Sequence, residues 1–204
     1  MIETHNPLIA SAPAFLDGQM LIAMPGMEDT RFARTVIYLC AHGTEGAMGF
    51  IINQPAKGVH FSQVLAQLNM GDEANASVFS DPSGEIVVMS GGPVERERGF
   101  LLHSPDFRIA NSTLAIRPDV CLTATLDMLR AVATGHGPRQ VLFALGCASW
   151  APGQLDMEIQ HNGWLHGPAD ASLLFDIPVP QRYREALRRI GIDPAMLSNE
   201  AGHA

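Results

Sequence analysis

The sequence predicts an α+β fold built on a mixed or barrel-like sheet, and three observations carry that prediction. Short β-type runs precede and interrupt the helical segments without the regular strand–helix–strand beat of a doubly wound fold. The 204 residues are 47% hydrophobic and 17% charged, enough to bury a substantial core. No repeat or biased tract divides the chain, so one domain over residues 1–204 is expected, with residues 1–14 as a loose N-terminal segment.

The elements follow in order. Met20-Leu21-Ile22-Ala23-Met24 reads as a buried strand stopped by Pro25-Gly26. Thr35 to Ala41 is a second strand, rich in β-branched residues, and Met48 to Asn53 a third. Gly43-Thr44-Glu45-Gly46 joins these two as a hairpin with a four-residue loop. Ser62 caps a short helix through Leu68, and residues 71–75 form a polar loop. Strands recur at Val78-Phe79, Glu85–Ser90, Phe100–His103 and Leu114–Ile116. A helix starts near Thr123 or Thr125, with Leu126, Leu129 and Ala133 at helical spacing and Gly135 at its end. Gln140–Leu145 is a strand, Pro152 opens a helix, Ser172–Ile177 is a late strand, and Arg182–Ile190 is a closing amphipathic helix.

Composition excludes several functions. A net charge of −8 disfavours direct nucleic-acid binding, which rests on clustered Lys and Arg. Cys40, Cys121 and Cys147 are odd in number and lack a CxxC pair, so reduced, buried thiols in the cytoplasm are expected. The N-terminus carries Glu3 where a signal peptide needs a cation, and no apolar run reaches about 18 residues, so no membrane span is expected. The eight histidines show no compact ligand spacing, and neither a metal nor a cofactor is expected.

Three stretches invite chemistry. Cys147, between a strand ending at Gly146 and the helix opening at Pro152, could serve as a nucleophile, since a helix N-terminus depresses a thiol pKa. On a helix, however, Asp156 and Glu158 point roughly 200° apart, and His161 lies some 15 Å of helical rise from Cys147. Gly146-Cys147-Ala148-Ser149-Trp150 is one residue too long for a nucleophile elbow and lacks its second glycine, so Ser149 is expected to cap the helix or its entry turn. Gly91-Gly92 with Arg96 or Arg98 could hold an anion, although no phosphate-loop pattern is present. The arginines of the closing helix read as a solvated face or a partner-docking surface.

The chain resembles the YqgE/AlgH family over nearly its whole length. The matching blocks run from Gly18-Gln19-Met20-Leu21-Ile22-Ala23-Met24-Pro25 through Phe32–His42, Gly46-Ala47-Met48-Gly49 and Ile52-Asn53-Gln54-Pro55. Gly91-Gly92-Pro93-Val94, Arg98–His103, Gly153–Ile159 and Asn162-Gly163-Trp164-Leu165 complete the set. The resemblance implies a mixed, strongly curved sheet that curls into a small β-barrel surrounded by helices. It also implies a link to transcriptional control of exopolysaccharide synthesis. The family usually carries an aromatic at position 147 and a glycine at 149, which counts against Cys147 or Ser149 as a required nucleophile.

The expected function is therefore that of a cytoplasmic, non-catalytic protein that binds a protein partner or a small-molecule or anionic ligand and acts on transcription indirectly. Asn53, Gly91, Gly92, Pro93, His103, Trp150, Gln154 and Glu158 form its candidate surface, because they belong to the matching blocks and lack an evident core role. A thiol-dependent or hydrolase-like enzyme using Cys147 is the alternative, and direct DNA binding a second.

Overall fold

A computed structural model describes residues 15–68 and 86–193. The expected strand at Val78-Phe79, the loop at 71–75, Glu85 and residues 1–14 lie outside them. Among the described residues nine strands form one sheet: β1 (Gln19–Ala23), β2 (Val36–Gly43), β3 (Gly46–Ile51), β4 (Val88–Ser90), β5 (Val94–His103), β6 (Thr113–Arg117), β7 (Val120–Thr123), β8 (Val141–Trp150) and β9 (Trp164–Pro168). Five α-helices accompany them: α1 (Phe61–Gln67), α2 (Leu126–Ala133), α3 (Gln154–Gln160), α4 (Ala171–Phe175) and α5 (Arg182–Arg189). The sheet runs β6-β7-β5-β8-β3-β2-β1-β9, with β4 beside β8. Among the described residues only the β4–β8 pair is parallel. The sheet curls into a half-barrel, the mixed, curved α+β architecture expected.

The unbroken apolar run of β1 reflects burial on both faces. Met20 and Ile22 enter a core closed by Leu173, Leu174, Ala186 and Leu187 of α4 and α5. Leu21 and Ala23 face a second core with Trp150, Leu155 and Trp164. A third core, with Phe61, Leu65, Leu129 and Phe143, sits beneath α1 and α2. A strand covered on both sides loses the polar alternation of a half-exposed one. Tyr183 locks α5 down by donating its hydroxyl to the Ala23 carbonyl at 2.9 Å.

Several expectations need correction. Ser172–Ile177 is not a strand: Asp170 Oδ1 accepts the Leu173 amide at 3.1 Å and caps α4. A short apolar run reads either way by periodicity, and the aspartate cap decides it. Helix α1 starts at His60 rather than by a Ser62 cap, with Gln63 Oε1 accepting the His60 amide at 3.1 Å. The β2–β3 turn is tighter than the four-residue loop, since both flanking glycines belong to the strands and pair with each other.

The largest correction concerns β8. It continues through Gly146 to Trp150, so Cys147 and Ser149 lie on a strand and Ser149 caps nothing. Helix α3 begins at Gln154 behind a left-handed Gly153, two residues after Pro152. Gly146 (φ 72°) looked like a strand end, but it is where another segment crosses the strand. The chain leaves β4, steps over β8 at Gly91-Gly92, and joins β5 on the other side. A Cβ on Gly91 would lie 2.3 Å from the Gly146 oxygen, and one on Gly92 2.1 Å from the Cys147 carbonyl carbon. Backbone meets backbone there, which only glycine permits.

Candidate functional site

Pro93, Trp150, Gln154 and Glu158 of the expected surface come together in one cleft of about 380 Å³. The end of β8 supplies Ser149 and Trp150, α3 supplies Gln154 and Glu158, and Gly163-Trp164 opens β9. The loop before β2 adds Met27, Asp29, Arg31 and Phe32, and Pro93-Val94 forms the wall where β5 begins.

Glu158 organises the floor. Its Oε2 accepts the indole N–H of Trp150 at 2.9 Å and that of Trp164 at 2.7 Å, while Oε1 accepts Gln154 Nε2 at 2.9 Å. Gln154 Oε1 in turn accepts the Ala151 amide at 2.9 Å, doing for the entry turn what Ser149 does not. The two indoles meet edge to face at 6.0 Å, and Phe32 meets Trp164 edge to face at 5.6 Å. Both are favoured arrangements of aromatic quadrupoles. The carboxylates diverge as helical geometry requires: Asp156 points to His42, 3.6 Å away, and Glu158 to the tryptophans. His161, at the end of α3, uses Nδ1 on the Met157 carbonyl at 2.7 Å and reaches the rim.

The other expected residues lie apart from this cleft. Asn53 clips the start of β2, its Oδ1 accepting the Val36 amide at 2.7 Å and its Nδ2 donating to the Arg34 carbonyl at 2.9 Å. Gly91 and Gly92 form the crossing over β8, the Gly91 amide donating to the Leu145 carbonyl. His103 is fully buried. Its Nδ1 lies 2.8 Å from the Ser104 carbonyl and must donate, so in the neutral ring Nε2 accepts from Thr123 at 2.9 Å. Thr113 donates to Thr123 and accepts the Ile109 amide, which completes the chain of bonds. Burial pushes the His103 pKa below its ordinary value.

Cys147 is 4% exposed, and burial, with the Glu95 charge behind it, pushes its thiol pKa up. That is the opposite of an activated nucleophile. Among the described residues no cluster of three His, Cys, Asp or Glu side chains could hold a metal. Three of the four closing-helix arginines are also engaged, and Arg184 is exposed. Arg182 is buried and donates to the Ile177 and Ile52 carbonyls, burial pulling its pKa down to about 10. Arg188 and Arg189 pair with Glu185, and Arg189 also with Asp170. A larger groove of about 700 Å³ between α1, α2 and residues 96–99 contains none of the eight expected residues. Arg31, Phe32 and Trp164 were absent from the expected surface, the first two because they sit on a single 3-10 turn, Thr30–Phe32, too short to show a periodicity.

A family model described as AlgH-like (DUF179) matches residues 20–195. The chain belongs to the AlgH-like family. This AlgH-like chain is 55% identical over 202 residues to a UPF0301 protein of Rhodopseudomonas palustris (strain BisB18), covering 99% of the chain and 95% of that relative. It is 57% identical over 191 residues to a UPF0301 protein of Nitrobacter hamburgensis, covering 94% and 88% respectively. The solution structure of AlgH from Pseudomonas aeruginosa superposes with a TM-score of 0.73 at 39% identity, covering 95% of this chain and 98% of that one. An X-ray structure of a Corynebacterium diphtheriae protein gives 0.65 at 20% identity, over 96% and 92%, a likeness of fold alone. No helix among the described residues is long and apolar enough to cross a membrane.

Proposed function

We propose that this AlgH-like protein is a non-catalytic binding protein of the cytoplasm, and that the cleft over the Trp150–Glu158–Trp164 group is its working surface. One observation carries the reading: a carboxylate holds two nearly buried indoles edge to face as the rigid floor of an open cleft. Aromatic walls with a few fixed polar groups are the usual make-up of ligand and partner sites. Three polar groups are spent internally: Glu158 on the indoles, Gln154 on the entry turn and Cys147 in the core. An effect on transcription then passes through the bound partner or ligand, since three of the four α5 arginines, Arg182, Arg188 and Arg189, are tied to Glu185, Asp170 and backbone carbonyls.

The test uses the full chain purified from its host. Val94→Arg and Ser149→Arg place a long side chain in the mouth of the cleft, at positions exposed to solvent. Native mass spectrometry and co-purification should show a molecule or partner on the wild type that both variants lose. Retention undiminished in both variants would overturn the reading. So would binding that leaves tryptophan emission unchanged, because the chain's two tryptophans both line the cleft.

A further inference from the structure

The cleft opens where one strand outruns its neighbour. On one side of β8, β3 pairs with Ala148, Ser149 and Trp150. On the other side the last pairing to β5 is Val94 with Cys147. Beyond it Pro93 has no N–H to donate, and the chain turns away over β8 at Gly92. Among the described residues no strand pairs with Ser149 and Trp150 on that side, and the line that β5 vacates is the cleft, walled by Val94 and Phe32. The Ser149 side chain is exposed, with no hydrogen-bond partner among the described residues.

We propose that this vacant line receives an extended segment of a partner protein, which adds a short strand beside residues 149–150. The proposal rests on the cleft being the working surface and names the class of its occupant. An unpaired strand edge offers main-chain donors and acceptors at strand spacing, which another backbone matches and a compact small molecule does not. Two residues of strand span about 7 Å, room for two or three partner residues. The partner strand runs antiparallel to β8, in line with β5. It places an apolar or aromatic side chain against Val94 and Phe32, and its affinity divides between main-chain bonds and that anchor.

A displayed library of random linear heptapeptides, panned on the full chain and counter-selected on Val94→Arg, supplies the probe. The recovered peptide is titrated beside a copy N-methylated at alternate residues, with hydrogen exchange read at the amides of residues 149 and 150. The expected result is at least about tenfold exchange protection at one of those amides, and about tenfold weaker binding of the N-methylated peptide, the equivalent of one lost hydrogen bond. Equal binding of the two peptides overturns strand addition. So does failure to recover any peptide that depends on Val94. If either failure coincides with a small molecule on the host-purified protein that Val94→Arg releases, strand addition falls and the binding cleft stands. If nothing is released either, both fall.

Discussion

Removing the carboxylate of Glu158 tests the centre of the structure most directly. In Glu158→Leu the indole N–H groups of Trp150 and Trp164 lose their acceptor. The two rings are 7% and 3% exposed, so water cannot replace it readily. Each buried donor left unpaired costs about 1–3 kcal/mol, and leucine recovers about 1 kcal/mol by burying more apolar surface. The net loss is then about 3 kcal/mol, a large part of a typical total of about 5–15 kcal/mol. Glu158→Gln keeps one carbonyl oxygen for both indoles but sets two amide N–H groups against each other at Gln154, costing about 1 kcal/mol. Adding Gln154→Glu to Glu158→Gln restores a donor facing an acceptor and recovers most of that loss. Urea unfolding followed by tryptophan emission gives the energies, and the two indole ¹H–¹⁵N resonances report the bonds. A Glu158→Leu loss below about 1 kcal/mol with unmoved indole resonances would refute the proposed role of the carboxylate.

The remaining predictions concern other parts of the fold. Because burial lowers the His103 pKa from its ordinary 6.5, the unfolded chain binds the extra proton first; stability is full above pH 6.5 and falls as the pH drops through the lowered value. Urea midpoints measured from pH 7 to pH 5 should show that slope, and His103→Gln should flatten it. Gly92→Ala drives a Cβ into the Cys147 carbonyl and should cost about 3 kcal/mol or prevent folding. Gly26→Ala, with open space around it, should stay within about 0.5 kcal/mol of wild type by urea unfolding. Native alkylation with iodoacetamide at neutral pH, read by peptide mass spectrometry, should label Cys147 no faster than Cys40 or Cys121, all three being buried.

The apolar runs of β1 to β3 and the helical spacing of α2 and α5 were legible because local pattern and tertiary burial agree there. Thr125 caps α2 as its position suggests, accepting the Met128 amide. Strands β7 and β9 were missed: Val120–Thr123 is four residues long, and Trp164–Pro168 carries Gly167 and a proline that read as a stop. The end of β8 was misplaced because Gly146 answers to Gly91 and Gly92, some 55 residues away, and local pattern cannot see that. At the site, Gln154 and Glu158 are one helical turn apart and were readable as a pair. Their joining to Trp164 depends on β9 pairing with β1, which is written nowhere near either residue.

That same pairing of β1 with β9 ties the first described strand to the last. Residues 19–23 wait for residues 164–168, and at about 5–20 residues per second of synthesis the interval is roughly 7–30 s. Throughout it the apolar Met20-Leu21-Ile22-Ala23 run has at most one neighbouring strand, β2. β3, already made, waits for β8 as well. The nascent chain therefore stays an incomplete, adhesive sheet until the last quarter of its length has left the ribosome, and its folding yield in the cell depends on how well holding chaperones cover that wait.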